Sequence, residues 1–271
     1  KVIENEDTKK GKYGKNALLT RHLADLARSI DPTRPVTAGC NGTQDSNPLF
    51  QSEALDLIGF NYHEQEFADI TKRHPKTPFI VTESVSSLQT RGFYVNPSDK
   101  VLICPERWDK PYTNPTQKCS AYDNFRAPWG TLHEDNWRII KQYPHVSGQF
   151  IWTGFDYLGE PTPYWWPSRS SYFGIVDLAG FPKDVYYMYQ SEWTNKDVLH
   201  IFPHWNWQPG DTVDIWAYYN KADEVELYLN GKSLGKRSKG EDDLHVMWRV
   251  PFEAGNIKAV ARLRGKTIMT K

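Results

Sequence analysis

The stretch Pro78-Phe79-Ile80-Val81-Thr82-Glu83-Ser84 decides the fold. Pro75 and Pro78 bracket a turn, and the β-rich run Phe79 to Thr82 that follows reads as a short buried strand. At Glu83 the apolar run stops, and Ser84, Ser86 and Ser87 begin. Working outward, Leu57 to Tyr62 (Leu-Ile-Gly-Phe-Asn-Tyr) reads as a second strand of the same kind, Pro35 to Ala38 as a shorter one, and Ser147 to Thr153 as a fourth. Helical segments separate them. Leu18 to Ile30 carries Leu19, Leu23, Leu26 and Ile30 at the spacing of one apolar face and is stopped by Asp31-Pro32-Thr33. Asn47 to Leu55 can hold a short helix, Gln65 to Arg73 reads as helical, and a further helix is expected over Leu132 to Lys141. Strands alternating with helices imply an α/β fold with a parallel sheet. A long irregular insertion, rich in Pro, Asn and Asp, occupies roughly Gln89 to Ala127.

From about Val198 the pattern changes. Thr212 to Tyr218, Glu224 to Leu229, His245 to Val250 and Ile257 to Arg264 are short alternating segments. They are separated by Gln208-Pro209-Gly210, Asn230-Gly231-Lys232 and Glu253-Ala254-Gly255. In Glu224 to Leu229, Val225, Leu227 and Leu229 share one face, and such strands make a small β-sandwich. The expected boundary lies near Trp193 to Lys196, giving domains 1–196 and 197–271.

Bulk properties narrow the function. Basic and acidic residues balance at 33 each, so no net field favours nucleic acid or an anionic membrane. No run of 18 apolar residues is present, and Lys1-Val2-Ile3-Glu4-Asn5-Glu6 lacks the apolar core of a signal peptide. The compartment is not legible. The aromatic share of 14%, with 11 Trp and 15 Tyr, suits buried aromatics or a cleft that stacks on sugar rings. Cys40, Cys104 and Cys119 fit no zinc motif; they read as free buried thiols, with a Cys104–Cys119 bridge as the alternative.

Acidic residues at the C-terminal ends of strands in a βα array sit where barrel enzymes place their chemistry. Glu83 ends its strand, and Glu6 closes the apolar start Val2-Ile3. Two carboxyl groups facing each other across a sugar can hydrolyse a glycoside, by retention when about 5–5.5 Å apart and by inversion when farther. A surface Glu or a helix N-terminal carboxylate is the bland alternative for each.

Val2-Ile3-Glu4-Asn5-Glu6 resembles the Ile-Gly-Asn-Glu signature of glycoside hydrolase family 2, with Glu4 at the usual Gly. Pro78 to Tyr94 resembles that family's nucleophile strand and following loop. Phe150-Ile151-Trp152-Thr153-Gly154-Phe155-Asp156-Tyr157 resembles its last barrel strand, and Tyr172 to Asp184 the segment after it. His204-Trp205-Asn206-Trp207 and Val225 to Gly231 resemble its immunoglobulin-like domain. These blocks occur in order over nearly the whole chain.

The resemblance implies the C-terminal half of a (β/α)8 barrel followed by an immunoglobulin-like β-sandwich. It makes Glu83 the nucleophile and Glu6 the general acid/base of a retaining exo-β-glycosidase acting on β-galactosides. Asn5 would bind the sugar 2-hydroxyl, Tyr62 would donate to the nucleophile, and Trp152 would stack on the ring. Asp156 would hold a hydroxyl, and His63 faces either the site or solvent. Trp165 and Trp166 are a candidate platform for the leaving group. About five of the eight barrel strands are legible, so the chain is expected to be a fragment. Its partners would be the missing N-terminal half of the barrel or a second copy, besides the carbohydrate substrate. No metal motif is present, and glycoside hydrolysis needs no cofactor; the resemblance leaves a structural cation near Glu6 as an alternative. β-Glucuronidase and β-mannosidase are rivals within the family, and a non-catalytic carbohydrate-binding or interaction module is the rival outside it.

Overall fold

The computed structural model describes residues 13–271 except residues 108 and 111. The expected first strand, with Asn5 and Glu6, lies outside the described residues. Two compact units make up the chain. One comprises the residues up to Val85 together with Asp135–Trp152, and the other comprises Ser86–Glu134 with Thr153–Lys271.

The first unit begins with a helix over Lys15–Ile30, whose end is fixed at Asp31: the backbone N–H donates to Ala27 O, and the carboxylate accepts from Thr33. Strands β1 (Gly39–Cys40), β2 (Ile58–Asn61), β3 (Phe79–Val85) and β6 (Val146–Trp152) form one sheet in the order β1-β2-β3-β6, with every neighbouring pair parallel. Helices over Pro48–Gln51, Phe67–Arg73 and His133–Lys141 lie between strands in sequence. Phe60, Phe67 and Phe79 stack edge to face at 5.1–5.4 Å between ring centroids and are fully buried with Ile58, Ile70 and Val81. Gly59 is required in β2: a Cβ there would stand 2.6 Å from Ala38 O and 2.7 Å from Thr82 Cγ2.

Two expectations need correction. The strand placed at Pro35 to Ala38 forms instead at Gly39–Cys40, where the register with Gly59 and Phe60 begins; Val36 N is taken by the Asp56 carboxylate. The stripe of Leu19, Leu23, Leu26 and Ile30 is 49, 53, 50 and 79% exposed, while Ala17, Leu18 and Ala24 are buried. The helix therefore packs through the side carrying Ala17, Leu18 and Ala24, and the four residues of the stripe are left largely exposed among the described residues.

In the second unit, β4 (Leu102–Ile103) and β5 (Phe125–Arg126) pair within the irregular insertion. A helix at Asp184–Trp193, not anticipated from the sequence, precedes two antiparallel sheets. One contains β7 (Leu199–Phe202), β8 (Thr212–Tyr219) and β11 (His245–Pro251) in the order β11-β8-β7. The other contains β9 (Glu224–Leu229), β10 (Lys232–Arg237), β12 (Ile257–Leu263) and β13 (Lys266–Thr270) in the order β10-β9-β12-β13. Val213, Ile215 and Ala217 of β8 bury against Val225, Leu227 and Leu229 of β9, as the alternation requires. Asn230-Gly231 closes the β9–β10 hairpin with both residues at positive φ (51° and 81°), the geometry of a type I′ turn.

The other face of β8 is buried too. Asp214 accepts two hydrogen bonds from Arg249 (2.7 and 2.9 Å) and two from Ser98 (2.6 and 2.8 Å), and Trp216 Nε1 donates to Ser98 Oγ. Burial opposes its charge, but the Arg249 guanidinium and Ser98 hold the carboxyl below the usual range. The irregular insertion is thus a layer over the sandwich.

Candidate active site

Strand register places the candidate residues of the first unit at the C-terminal ends of β2, β3 and β6. Asn61 stands opposite Glu83, and Val85 opposite Trp152. Tyr62 follows β2 directly. Its backbone N–H donates to Glu83 O at 2.6 Å, and its phenol donates to Glu83 Oε1 at 2.5 Å. A phenol held there fixes one carboxylate oxygen and leaves the rest of the group open. Glu83 is partly exposed.

The backbone at this edge is unusual. Tyr62 and His63 have φ of 59° and 60°, and Val85 and Ser86 have φ of 76° and 59°. Positive φ is costly for non-glycine residues, most of all for β-branched Val85, and such residues cluster at functional sites. These bends end both strands and turn the chain over the sheet's rim. His63 is fixed by two contacts: Nε2 lies 2.6 Å from Asn41 O, and Gln65 Nε2 lies 3.3 Å from Nδ1. A neutral ring with the proton on Nε2 satisfies both. Thr82 Oγ1 donates to Asn61 Oδ1 (2.8 Å), and Ser84 Oγ to Gln149 Oε1 (2.9 Å), tying β3 to both neighbours through side chains. Sequence reading missed these braces and the paired positive-φ residues, because polar residues at a strand end carry no pattern.

Asp156 belongs to the second unit. Its carboxylate meets Lys183 Nζ at 2.8 Å and accepts from Gly174 N at 2.8 Å. Lys183 is 1% exposed and also donates to the carbonyls of Gln89 and Tyr172. Burial pushes the Asp156 carboxyl up and the Lys183 ammonium down, while their mutual attraction opposes both shifts. Asp156 also lines a cavity of about 590 Å³ with Gln89, Arg91, Arg169 and Asp177. Trp165 and Trp166 are 66 and 76% exposed and line a smaller hollow of about 240 Å³ with Trp129.

Cys40, Cys104 and Cys119 are free and buried, so the alternative Cys104–Cys119 bridge is not formed. Burial pushes the Cys104 thiol up to about 11, and raises Cys40 and Cys119 as well, which leaves them poor nucleophiles. Among the described residues no group of three or more His, Cys, Asp or Glu could hold a metal ion. No described helix is long and apolar enough to cross a membrane.

Known proteins resemble this chain. A family model described as a domain of unknown function, DUF4982, matches residues 210–269. The chain is 56% identical over 263 residues to the β-galactosidase BoGH2A of Bacteroides ovatus, covering 97% of this chain and 31% of that protein. A solved β-glycosidase from Bacteroides vulgatus superposes with a TM-score of 0.75 at 30% identity, over 93% of this chain and 34% of that one. A glycosyl hydrolase family 2 member from Bacteroides cellulosilyticus superposes at 0.66 with 27% identity, over 94% and 30%. The chain thus spans about a third of the length of these relatives.

Proposed function

We propose, from the premise that this chain is a β-galactosidase-like part of a glycoside hydrolase family 2 protein, that the longer protein is a retaining exo-β-glycosidase for terminal β-galactosides. In this reading the parallel sheet β1-β2-β3-β6 is the C-terminal half of a (β/α)8 barrel. The two antiparallel sheets form an immunoglobulin-like sandwich, and the functional division falls between 1–196 and 197–271.

Glu83 is the nucleophile. Its carboxylate attacks the anomeric carbon while Glu6 donates a proton to the leaving oxygen, giving a covalent glycosyl-enzyme. Glu6, now ionised, takes a proton from water, which displaces Glu83 and releases the sugar with its configuration retained. The Tyr62 phenol donates a hydrogen bond that orients the Glu83 carboxylate. Asn5 binds the 2-hydroxyl, Trp152 stacks on the ring, and His63 forms part of the rim. No cofactor takes part.

The observation that carries the reading is the 2.5 Å hydrogen bond from Tyr62 to a carboxylate at the C-terminal end of a parallel strand, within a chain 56% identical to a β-galactosidase. The open leucine stripe of helix Lys15–Ile30 supports a partner in the remainder of the barrel or a second copy, and the isolated chain is expected to be inactive. Hydrolysis of a nitrophenyl β-galactoside by the longer protein tests the assignment. Glu83→Gln should abolish turnover, and turnover within tenfold of the unchanged protein would refute it.

A further inference from the structure

The cavity of about 590 Å³ in the second unit has an uneven complement of charge. Asp177 is met by Arg91, whose Nε lies 2.5 Å from its carboxylate, and Asp156 is met by Lys183 at 2.8 Å. Arg169 also lines the cavity. Its guanidinium lies over the Trp166 ring, 4.7 Å from the centroid, and has no carboxylate partner among the described residues. The wall therefore presents one uncompensated positive charge, oriented by an aromatic face.

A second, independent feature has the same sign. Gln89, also in the wall, is 1% exposed, and its side-chain Nε2 has no hydrogen-bond partner among the described residues. A buried N–H donor without an acceptor is costly, about 1–3 kcal/mol, and native proteins rarely keep one unless something else fills it. Both groups lack the same thing: an acceptor, preferably an anionic one. The cavity's size is in the range that takes a small molecule such as one or two sugar rings. Leu158, Leu178 and Pro167 supply apolar wall for C–H faces.

We propose that this cavity is a subsite for an anionic sugar residue, whose carboxylate or sulfate ester is held by Arg169 and the Gln89 amide. The inference rests on the carbohydrate reading above and extends it: the substrate carries an acidic sugar in addition to the neutral galactoside that is cleaved. Arg169 and Gln89 are binding residues that take no part in bond breaking.

Calorimetric titration of the 271-residue chain with D-galacturonate, D-galactose 6-sulfate, D-galactose and inorganic sulfate tests it. At least one anionic sugar should bind tenfold or more tightly than galactose and than inorganic sulfate, and the stronger of the two identifies the anion as carboxylate or sulfate ester. Arg169→Ala, at an exposed position, should weaken that binding tenfold or more, with Arg169→Lys between. Gln89→Glu, which replaces the donor by a carboxylate, should abolish it. Galactose binding as tightly as both acidic sugars, or Arg169→Ala leaving affinity unchanged, would overturn the proposal. Because binding is read without turnover, failure here with galactoside hydrolysis intact removes the subsite only. Anionic-sugar binding in a protein that hydrolyses no galactoside removes the cleavage assignment and leaves the subsite.

Discussion

Lys183 is the most consequential single side chain in the second unit. It is 1% exposed, and its ammonium is shared by the Asp156 carboxylate (2.8 Å) and the carbonyl oxygens of Gln89 (2.7 Å) and Tyr172 (3.1 Å). Lys183→Met keeps the unbranched stem, one atom shorter, and removes the charge, so packing is largely conserved. The Asp156 carboxylate, only 9% exposed, then loses its counter-ion. Removing one member of a buried pair costs about 3–5 kcal/mol, chiefly from the charge left behind. For a protein of this size each kcal/mol lowers Tm by roughly 2–4 °C, so a fall of about 6–20 °C is expected. The double variant Lys183→Met with Asp156→Asn should recover part of the loss, because the stranded charge is gone and the amide oxygen can still accept from Gly174 N. Urea unfolding followed by tryptophan fluorescence measures all three. A single-variant loss below about 1 kcal/mol, the scale of an exposed pair, would show that this ion pair is not buried as described.

Three further outcomes follow from particular contacts. Tyr62→Phe removes one hydrogen bond to a carboxylate, worth about 1.5–3 kcal/mol, so kcat of the longer protein on a nitrophenyl β-galactoside should fall roughly 10- to 150-fold with little change in KM. Gly59→Ala places a methyl within 2.6 Å of Ala38 O and 2.7 Å of Thr82 Cγ2, and chemical denaturation should show a loss of about 1–3 kcal/mol from overpacking. Asp123 is buried and caps the helix at His133–Lys141, accepting from His133 N and Glu134 N; burial, with the nearby Glu134 charge, pushes its carboxyl up to about 7. The native state then holds a proton that the unfolded state releases, so this group lowers stability as pH rises from about 4 to about 7, by up to ~1.4 kcal/mol per pH unit. Asp123→Asn keeps an acceptor for the cap and should remove that component. Its stability relative to the unchanged protein should climb across the window, and parallel pH profiles would contradict the assignment.

The elements that bury apolar runs were legible in the sequence. Phe79 to Thr82, Leu57 to Tyr62 and Ser147 to Thr153 lie within or at β3, β2 and β6, and Val225, Leu227 and Leu229 face the sandwich core as their alternation requires. What escaped were elements whose register comes from partners. β13 carries Lys266, Thr267 and Thr270 on a mostly exposed edge, and its hairpin turn is Arg264-Gly265, at φ of 51° and 76°, where no Asn or Asp announces it. The helix Asp184–Trp193 mixes aromatic and polar residues without a clean stripe, since aromatic neighbours surround it, Tyr187 stacking on His200 among them. Leu19, Leu23 and Leu26 show the opposite failure: the periodicity correctly gave a helix, yet it does not say which face packs. At the site, Glu83 and Tyr62 were legible as neighbours because each lies near the C-terminal end of its strand, although β3 runs on through Glu83 to Val85. The Lys183–Asp156 pair was not, since residues that meet only through tertiary folding leave no spacing to read.

The central claim is that Glu83 forms the glycosyl-enzyme bond. Incubating the longer protein with a 2-deoxy-2-fluoro-β-galactoside that has a good leaving group should trap that species. Mass spectrometry of the peptide spanning Pro78 to Tyr94 should then find the fluorosugar on Glu83 in unchanged protein and none in Glu83→Gln. A label on any other residue would contradict the account.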